Sequence, residues 1–484
     1  MKTLCVRAGA FVIAIAFFSG AFAGDAGVPQ GGAARRQQDR TKAIAEFFHQ
    51  PIFTEHLYQP AYSLEEMRRR RERVFEHIGA NLAVLCGADA QEDWERFGQY
   101  NNFYYLTGFE MPNSVLLLDG ARKRSALFLR TRAQHWVRFD GPELQPGEEA
   151  ARLTGMDEVL NVDQFAESLR RAVSESPAPR KIFTERSPGE RGGASQDLFH
   201  IYLQPRRDFP LDRRSHRLGD FAAAIFEQFP QAEVADLSEF LHEMRRVKSA
   251  EEIALMREAA NLGAHALAEA IRATRPGIRE SDLEAICRYE FTRGGAEAAW
   301  TPIVASGPNI HVFHYQANRR QLQDGDLILI DVGPKLRYYC ADITRTWPVS
   351  GTLTGRRREL YEACLTLHKT CVAAVRPGIT IDQLNAVYHQ KAEELGIGEY
   401  VYYAIGHYTG MAPHDVGDRD KPFEPGVVFN VEPFLDIPEE NVHIRFEDTV
   451  VVTQDGREVL SLTPELPWEA DELIRLRDEP SRFE

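Results

Sequence analysis

Asp331 and Asp342 stand eleven residues apart in the run DLILIDVGPKLRYYCADITRTW, and Glu432 and Glu447 stand in a second run of similar character, FNVEPFLDIPEENVHIRFEDT. Carboxylates are hard oxygen donors, and four of them gathered in one place repel unless a cation lies among them. The chemistry they offer is the binding of divalent metal ions. Strand geometry supplies the convergence, because side chains alternate faces along a strand and residues opposite one another across a hairpin share a face. Asp331 ends the apolar run Leu327 to Val332 and Asp342 opens the run Ile343 to Val349, so a turn around Gly333 to Tyr338 predicts the two nearly opposite. Val427 to Val431 leading into Glu432, a turn at Pro438 to Asn441, and Glu447 ahead of Thr449 to Val452 predict the same for the second pair. Either pair alone has an ordinary reading, since acidic residues flank turns routinely.

An internal repeat ties the pairs together. Arg275-Pro-Gly-Ile278 recurs as Arg376-Pro-Gly-Ile379 at an offset of 101, Leu283 and Leu384 follow at the same offset, and so do Gly325 with Gly426 and Asp331 with Glu432. Two similar halves, each helix then hairpin, are expected to pack about a pseudo-twofold axis that brings the carboxylates together. Three histidines lie upstream of the hairpins: His314 before the first, His407 and His414 before the second. A lone histidine is more often a packed or surface residue than a ligand. One imidazole with four carboxylates is an oxygen-rich set that suits Mn²⁺ or a similar hard ion better than a structural zinc site.

At the runs IDVG, CADITRTWPVSG, IGHYTGMAPHDVG, NVEP and IRFEDT the chain resembles the pita-bread metallopeptidases, the family that holds methionine aminopeptidase, prolidase and aminopeptidase P. The order Asp, Asp, His, Glu, Glu is intact. The resemblance implies Asp331, Asp342, His407, Glu432 and Glu447 as metal ligands, with Asp342 and Glu447 bridging two ions, and His314 and His414 as non-ligand histidines that hold the substrate and its tetrahedral intermediate. It covers Lys248 to about Leu462, from KSAEEIALMREA onward. Upstream, FGQYNNFYYLTGFEMPNSVLLL (97–118) is similar to the amino-terminal domain of aminopeptidase P and prolidase, which points to proline-directed substrates. By residues alone this segment reads as an aromatic strand packed in a core; by the resemblance, Tyr104 is the position that could reach a neighbouring subunit's active site. A homo-oligomer, dimer or tetramer, is expected.

Three departures from the family pattern stand out. Tyr403 replaces a further histidine four residues before His407. Trp300 replaces a tyrosine that hydrogen-bonds near the first metal aspartate, and an indole donates but does not accept. Arg445 matches the family's arginine and could support Asp331, although an arginine in an ordinary ion pair reads the same. The short segment between Glu432 and Glu447 lacks the extra arginine that many prolidases offer to a dipeptide's carboxylate, which tilts the expectation toward an aminopeptidase acting on longer peptides. The implied activity is that of a Xaa-Pro aminopeptidase with two divalent ions, Mn²⁺ before Co²⁺ or Zn²⁺, in which a bridging hydroxide attacks the bond before a proline at position two. Glu432 would carry the proton, and His414 and His314 would stabilise the intermediate. Prolidase is the alternative enzyme, and a non-catalytic binding module of the same fold is the alternative class, disfavoured by the complete ligand set.

Positioning these residues requires an α+β architecture: a catalytic domain at 240–484 with the pseudo-twofold repeat, preceded by a smaller α/β amino-terminal domain at 43–239. Ser249-Ala-Glu-Glu252 is a capping box opening a long helix that ends near Arg275-Pro-Gly277. Ser63-Leu-Glu-Glu66 is another, and the Arg68 to Arg71 cluster that follows reads as a solvated helix face. Lys2 and Arg7 precede the apolar stretch Ala8 to Phe18, and Ala21-Phe-Ala23 has the form of a cleavage site, so 1–23 reads as an export signal to a periplasmic or secreted destination. The stretch is short for a membrane anchor. Residues 24–42 read as a flexible leader, and Ser187 to Arg217, rich in Gly, Pro and Arg, as an exposed insertion. Five cysteines would remain, without metal-type pairing, and are expected as buried thiols. The net charge of −15 makes nucleic acid an unsuitable partner.

Overall fold

In the computed structural model, β1 (Leu82–Cys86), β2 (Val115–Asp119), β3 (Arg124–Leu129), β4 (Glu158–Asn161), β5 (Ile182–Thr184) and β6 (Val234–Asp236) form one sheet in the order β4-β3-β2-β1-β5-β6. The runs LAVLC and VLLLD have no polar face because both sides of the sheet are covered: Ala83 and Leu85 face the main core, Leu82 and Val84 a smaller one. The described residues are 57–90, 96–131, 137–175, 181–188 and 215–483, with isolated positions within 40–47 and 208–211. They belong almost entirely to one unit, 56–132 with 143–484; the other unit, 1–55 with 133–142, is represented chiefly by the short helix Val137–Asp140. The export signal, most of the leader and most of the expected insertion lie outside the described residues.

Helix α1 (Leu64–Ile78) starts at Ser63, whose side chain accepts from Glu66 N, but the box is not reciprocal. Ser63 instead donates through N and Oγ to Glu251, each at 2.7 Å. Glu66 turns to Arg69 and Arg70. The solvated-face expectation fails for half the arginine run. Arg70 and Arg71 are 2% and 3% exposed, because their guanidiniums cap backbone carbonyls of the next helix: Arg70 donates to Tyr105 O and Arg71 to Leu106 O. That next helix is α2 (Asn101–Thr107), where a strand was the simple reading. Gly108 at φ 61° stops it, and Thr107 Oγ1 donates back to Phe103 O. Tyr104 is buried, stacked 3.6 Å from Tyr338 and accepting from Ala61 N, so its ring is committed within its own chain.

The 101-residue offset persists element by element. Helix α3 (Ala250–Ala273), capped reciprocally by Ser249 and Glu252, and α5 (Gly355–Ala374) end at matching positions, and α4 (Glu280–Arg293) matches α6 (Ile381–Glu394) at both ends. The turns between them correspond bond for bond. Gly277 N donates to Leu322 O (2.9 Å) and Leu322 N to Ile278 O (2.8 Å), while Gly378 N donates to Phe423 O and Phe423 N to Ile379 O, both at 2.8 Å. Gly277 and Gly378 have φ of 95° and 84°, which only glycine adopts freely. Proline ends the helix and glycine turns the chain, so the repeated Arg-Pro-Gly-Ile is a structural signature.

The first hairpin is more elaborate than one turn. Strand β7 (Glu297–Ala298) and β8 (Ile303–Ser306) precede β9 (Leu327–Val332), which pairs with β8 and with β12 (Ile343–Pro348). Between β9 and β12 the chain leaves the sheet as β10 (Pro334–Leu336), reverses through Arg337 and Tyr338 at φ 46° and 76°, and returns as β11 (Tyr339–Cys340). Asp331 therefore faces Thr344 across the ladder, and Asp342 lies two residues further along, diagonal to Asp331 on the same face. The second hairpin follows the same plan: β13 (Gly406–Tyr408) and then β14 (Val428–Val431), the excursion β15 (Phe434–Ile437) and β16 (Val442–Arg445), and the return β17 (Asp448–Val452). Its tip, Pro438–Glu440 with Asn441 at φ 51°, falls where it was expected. The two hairpins join edge to edge through Thr344 and Glu447, N to O at 3.3 and 3.1 Å. All five cysteines from Cys86 onward are buried and free, and burial pushes the Cys287 and Cys340 thiols up to about 12.

Candidate metal centre

The seam between the hairpins is where the five expected ligands meet. Asp331 sits near the end of β9, Asp342 just before β12, His407 in β13, Glu432 just after β14 and Glu447 just before β17. His407 Nε2 lies 3.5 Å from Glu447 Oε1, 3.8 Å from Asp342 Oδ2 and 3.9 Å from Glu432 Oε2. Its other nitrogen, Nδ1, is 3.1 Å from Tyr408 O. That carbonyl only accepts, so Nδ1 carries a proton and Nε2 is the nitrogen turned toward the carboxylates.

Arg445, at the end of β16, is 2% exposed and spans two ligands, with Nη2 2.5 Å from Asp331 Oδ2 and Nη1 3.3 Å from Glu432 Oε1. Asn430 Nδ2 donates to Glu447 Oε1 and to the Asp342 carbonyl, both at 3.0 Å. Thr344 Oγ1 donates to Glu447 Oε2 at 2.8 Å, and Thr449 Oγ1 accepts from Asp342 N at 3.0 Å. Thr344, Asn430 and Thr449 were not singled out from sequence. Each stands two residues from a ligand (Asp342, Glu432 and Glu447 respectively), which the strand period places on the same face; that rule was the available signal.

Despite these donors, Asp331 Oδ1 and Asp342 Oδ1 are buried without a hydrogen-bond partner. Ligand atoms of Asp342, His407 and Glu447 all fall within 4.8 Å of one another. Two orphaned carboxylate oxygens in a cluster that also presents an imidazole nitrogen fit a divalent cation. The electrostatics agree. Burial, then the charge of Glu447 and other carboxylates, pushes Asp342 well above the usual range. Burial raises Asp331 to about 6 against the pull of Arg445, and burial with Glu447 raises Glu432 to about 8. Burial also works on Glu447, but the hydrogen bond and charge of His407 hold it down to about 2. The protein side chains alone leave the cluster short of positive charge, and cations would let all four carboxylates ionise together.

His414 is brought to the centre, its ring 4.1 Å from that of His407 and its charge acting on Glu432. His314 lies exposed on the loop after the 3-10 turn Gly307–His311, next to Phe313, whose ring packs 5.0 Å from Phe434 and 5.5 Å from Tyr403. Tyr402 and Tyr403 are exposed there, forming with Phe313 and Phe434 an aromatic wall in which Tyr403 takes the place of the family's histidine. Trp300 makes no hydrogen bond to Asp331. Its ring lies against Gly333, where a Cβ would come within 2.0 Å of it, so Trp300 supports the strand end by packing and leaves the hydrogen bond to Arg445.

Comparison with known proteins agrees with this geometry. The family model for metallopeptidase family M24 matches residues 254–454, and that for the aminopeptidase P N-terminal domain matches 67–183. The Xaa-Pro aminopeptidase of Haemophilus influenzae is 30% identical over 443 residues, covering 84% of this chain and 95% of that protein. The Xaa-Pro aminopeptidase of Escherichia coli is 31% identical over 456 residues, covering 82% and 95%. The solved structure of Escherichia coli aminopeptidase P with the inhibitor Pro-Leu superimposes with a TM-score of 0.70 at 28% identity, covering 86% of this chain and 98% of that one. Ligand order, duplicated hairpins and preceding six-stranded sheet are thus accounted for together: the chain belongs to metallopeptidase family M24, with a pita-bread catalytic domain behind an N-terminal domain of the aminopeptidase P type.

Proposed function

We propose that the protein is an exported, dinuclear Xaa-Pro aminopeptidase, which removes the first residue from peptides with proline at position two. The observation that carries the metallopeptidase chemistry is the pair of orphaned oxygens, Asp331 Oδ1 and Asp342 Oδ1, in a cluster where His407 Nε2 lies 3.5–3.9 Å from oxygens of Glu447, Asp342 and Glu432. The similarity to Xaa-Pro aminopeptidases over nearly their whole length supports the choice of substrate. Asp331, Asp342, His407, Glu432 and Glu447 would hold two divalent ions, Mn²⁺ in our reading. Such ions supply a water ionised near neutral pH and polarise the scissile carbonyl.

The chain's own groups do the rest. Glu432 is the most open of the four carboxylates, its side chain 23% exposed, so it can face a bound peptide. It takes the proton of the attacking water and returns it to the proline nitrogen, which needs one to leave. His414, beside His407, donates to the oxyanion, with His314 from the opposite loop; a donor so aimed contributes about 10² to 10³ in rate. The aromatic wall of Phe313, Tyr402, Tyr403 and Phe434 suits the compact apolar pyrrolidine ring. Export rests on Lys2, Arg7 and the apolar run that follows; no helix among the described residues is long and apolar enough to cross a membrane. Assembly as a dimer or tetramer belongs to the same reading.

The test is hydrolysis by the chelator-stripped protein, with and without Mn²⁺, of a Xaa-Pro-Xaa tripeptide beside a Xaa-Pro dipeptide. Mn²⁺-dependent release of the first residue from the tripeptide is expected. Cleavage of the dipeptide alone makes the protein a prolidase, and no turnover with Mn²⁺, Co²⁺ or Zn²⁺ makes it a binding module.

A further inference from the structure

Phe313, Tyr402, Tyr403 and Phe434 reach the aromatic wall from three separate segments, and each of those segments meets the carboxylate of Asp436. His311 ends the 3-10 turn Gly307–His311 two residues before Phe313, and its Nδ1 lies 2.5 Å from Asp436 Oδ1. The hydroxyl of Tyr402, the neighbour of Tyr403, donates to Asp436 Oδ2 at 2.9 Å. Asp436 itself stands on β15 two residues beyond Phe434, and its register partner His443 on β16 brings Nδ1 to 3.0 Å from the same Oδ1. The hydrogen bonds of the two imidazoles keep Asp436 ionised against its burial, and an ionised carboxylate only accepts. One side chain thus receives all three donors.

Ring packing by itself fixes the wall poorly. Residues 312–314 and 401–405 lie outside helices and strands, and Tyr402 and Tyr403 are 49% and 58% exposed. Phe313 meets Phe434, Tyr403 and Tyr402 edge to face, with centroids 5.0, 5.5 and 6.5 Å apart. Such contacts are individually weak and let rings slide. Hydrogen bonds set distances. His443 shows the division of labour: its ring is stacked 5.7 Å from Phe434 and lies edge-on to Phe313 at 5.2 Å, so it backs the wall. Its Nε2 is buried without a hydrogen-bond partner, which leaves the bond from Nδ1 to Asp436 to set the rotation of the ring.

We propose that Asp436 is a specificity-determining positioning residue, the hub that assembles the aromatic wall and through it sets the preference for proline over alanine at position two. This rests on the Xaa-Pro aminopeptidase reading. An apolar pocket separates ligands differing by a single methylene by roughly 10-fold or more, provided that its walls keep their places. Proline fills more of such a pocket than alanine, so a held wall favours it and a loosened wall does not. His314 follows Phe313 directly, so loosening also slows cleavage of any peptide; the ratio between two substrates isolates the wall.

The test is kcat and KM of the Mn²⁺-loaded full-length protein on Xaa-Pro-Xaa and Xaa-Ala-Xaa tripeptides of otherwise identical sequence. Asp436→Leu is expected to cut the proline-to-alanine ratio of kcat/KM roughly 10-fold or more, chiefly through KM for the proline peptide. Asp436→Asn, which keeps an acceptor oxygen, should fall between it and the wild type. Tyr402→Phe removes one half-exposed hydroxyl and keeps the ring, so it carries the test should Asp436→Leu not fold; a fall of about 2- to 10-fold in the ratio is expected. Losses equal for the two peptides, or an unchanged ratio in Tyr402→Phe, overturn the proposal. Calorimetric titration with Pro-Leu beside Ala-Leu reads the same preference without turnover. A wild type that cleaves neither tripeptide fails the peptidase reading; tighter binding of Pro-Leu that Tyr402→Phe selectively weakens still supports the hub, and equal binding of the two dipeptides by the wild type overturns it.

Discussion

Arg445 ties two proposed ligands into one unit, because a planar guanidinium spans Asp331 and Glu432 with separate nitrogens. Lysine keeps the charge and loses the span. Arg445→Lys is therefore expected to weaken metal binding by roughly 10–100-fold, as changes to groups that orient metal ligands do; chelator competition measures it. Asp436 shows the reverse economy of charge. Burial opposes its ionisation, yet hydrogen bonds from His443 and His311 hold it down to about 2. A carboxyl depressed on folding stabilises the native state above its unfolded value of about 4 and loses that contribution as pH falls toward the folded value. In chelator-treated protein, Asp436→Asn is expected to flatten the acid limb of stability between about pH 4 and pH 2, read by denaturant melting at fixed pH steps.

At the scale of elements, the strand end carrying Asp331 is set by a close approach of ring to backbone. Any side chain at position 333 meets Trp300 at 2.0 Å and Ala341 O at 2.8 Å. Gly333→Ala is expected to cost about 1–3 kcal/mol by overpacking and to reduce activity by displacing Asp331. Adding Trp300→Val should recover part of the stability, measured as a double-mutant cycle by urea melting. The same region separates what was legible in sequence from what was not. The Arg-Pro-Gly-Ile repeat, the Ser249 box, the convergence of the five candidate ligand residues and the Pro438 to Asn441 turn were readable, because each is a local pattern with a fixed geometric meaning. The β10–β11 excursion was not. Its reversal uses Arg337 and Tyr338 at positive φ, where no glycine announces a turn. The burial of Arg70 and Arg71 was hidden for a related reason: their acceptors are carbonyls of a helix some 35 residues away, and backbone acceptors leave no trace in residue type.

Across the whole described unit, a buried ionic network joins the amino-terminal helices to the catalytic repeat. Arg70 reaches Glu66 at 3.1 Å and Glu252 of α3 at 3.0 Å, its guanidinium 3.9 Å above the rings of both Tyr62 and Tyr105, while Tyr339 donates to Glu252 at 2.7 Å. Removing one member strands a buried charge. Arg70→Met is expected to cost about 3–5 kcal/mol, and Arg70→Met with Glu252→Gln less than the sum of the two single changes. Guanidinium melts followed by tryptophan fluorescence and by circular dichroism should coincide in the wild type and separate in Arg70→Met, as the two parts uncouple.

The seam at Thr344 and Glu447 has a further consequence. Its donors come from both copies of the repeat, Asp331 and Asp342 from one, His407, Glu432 and Glu447 from the other, and Asp331 and Glu447 are 116 residues apart. Every cysteine among the described residues is free, so no covalent bridge closes that span. A cation held by both ends is a reversible cross-link around a long loop, and such clips gain stability by denying the unfolded chain its conformational freedom. On the proposed reading, reagent and rivet would be the same ion, and chelation should open the junction between the copies before it frays either hairpin.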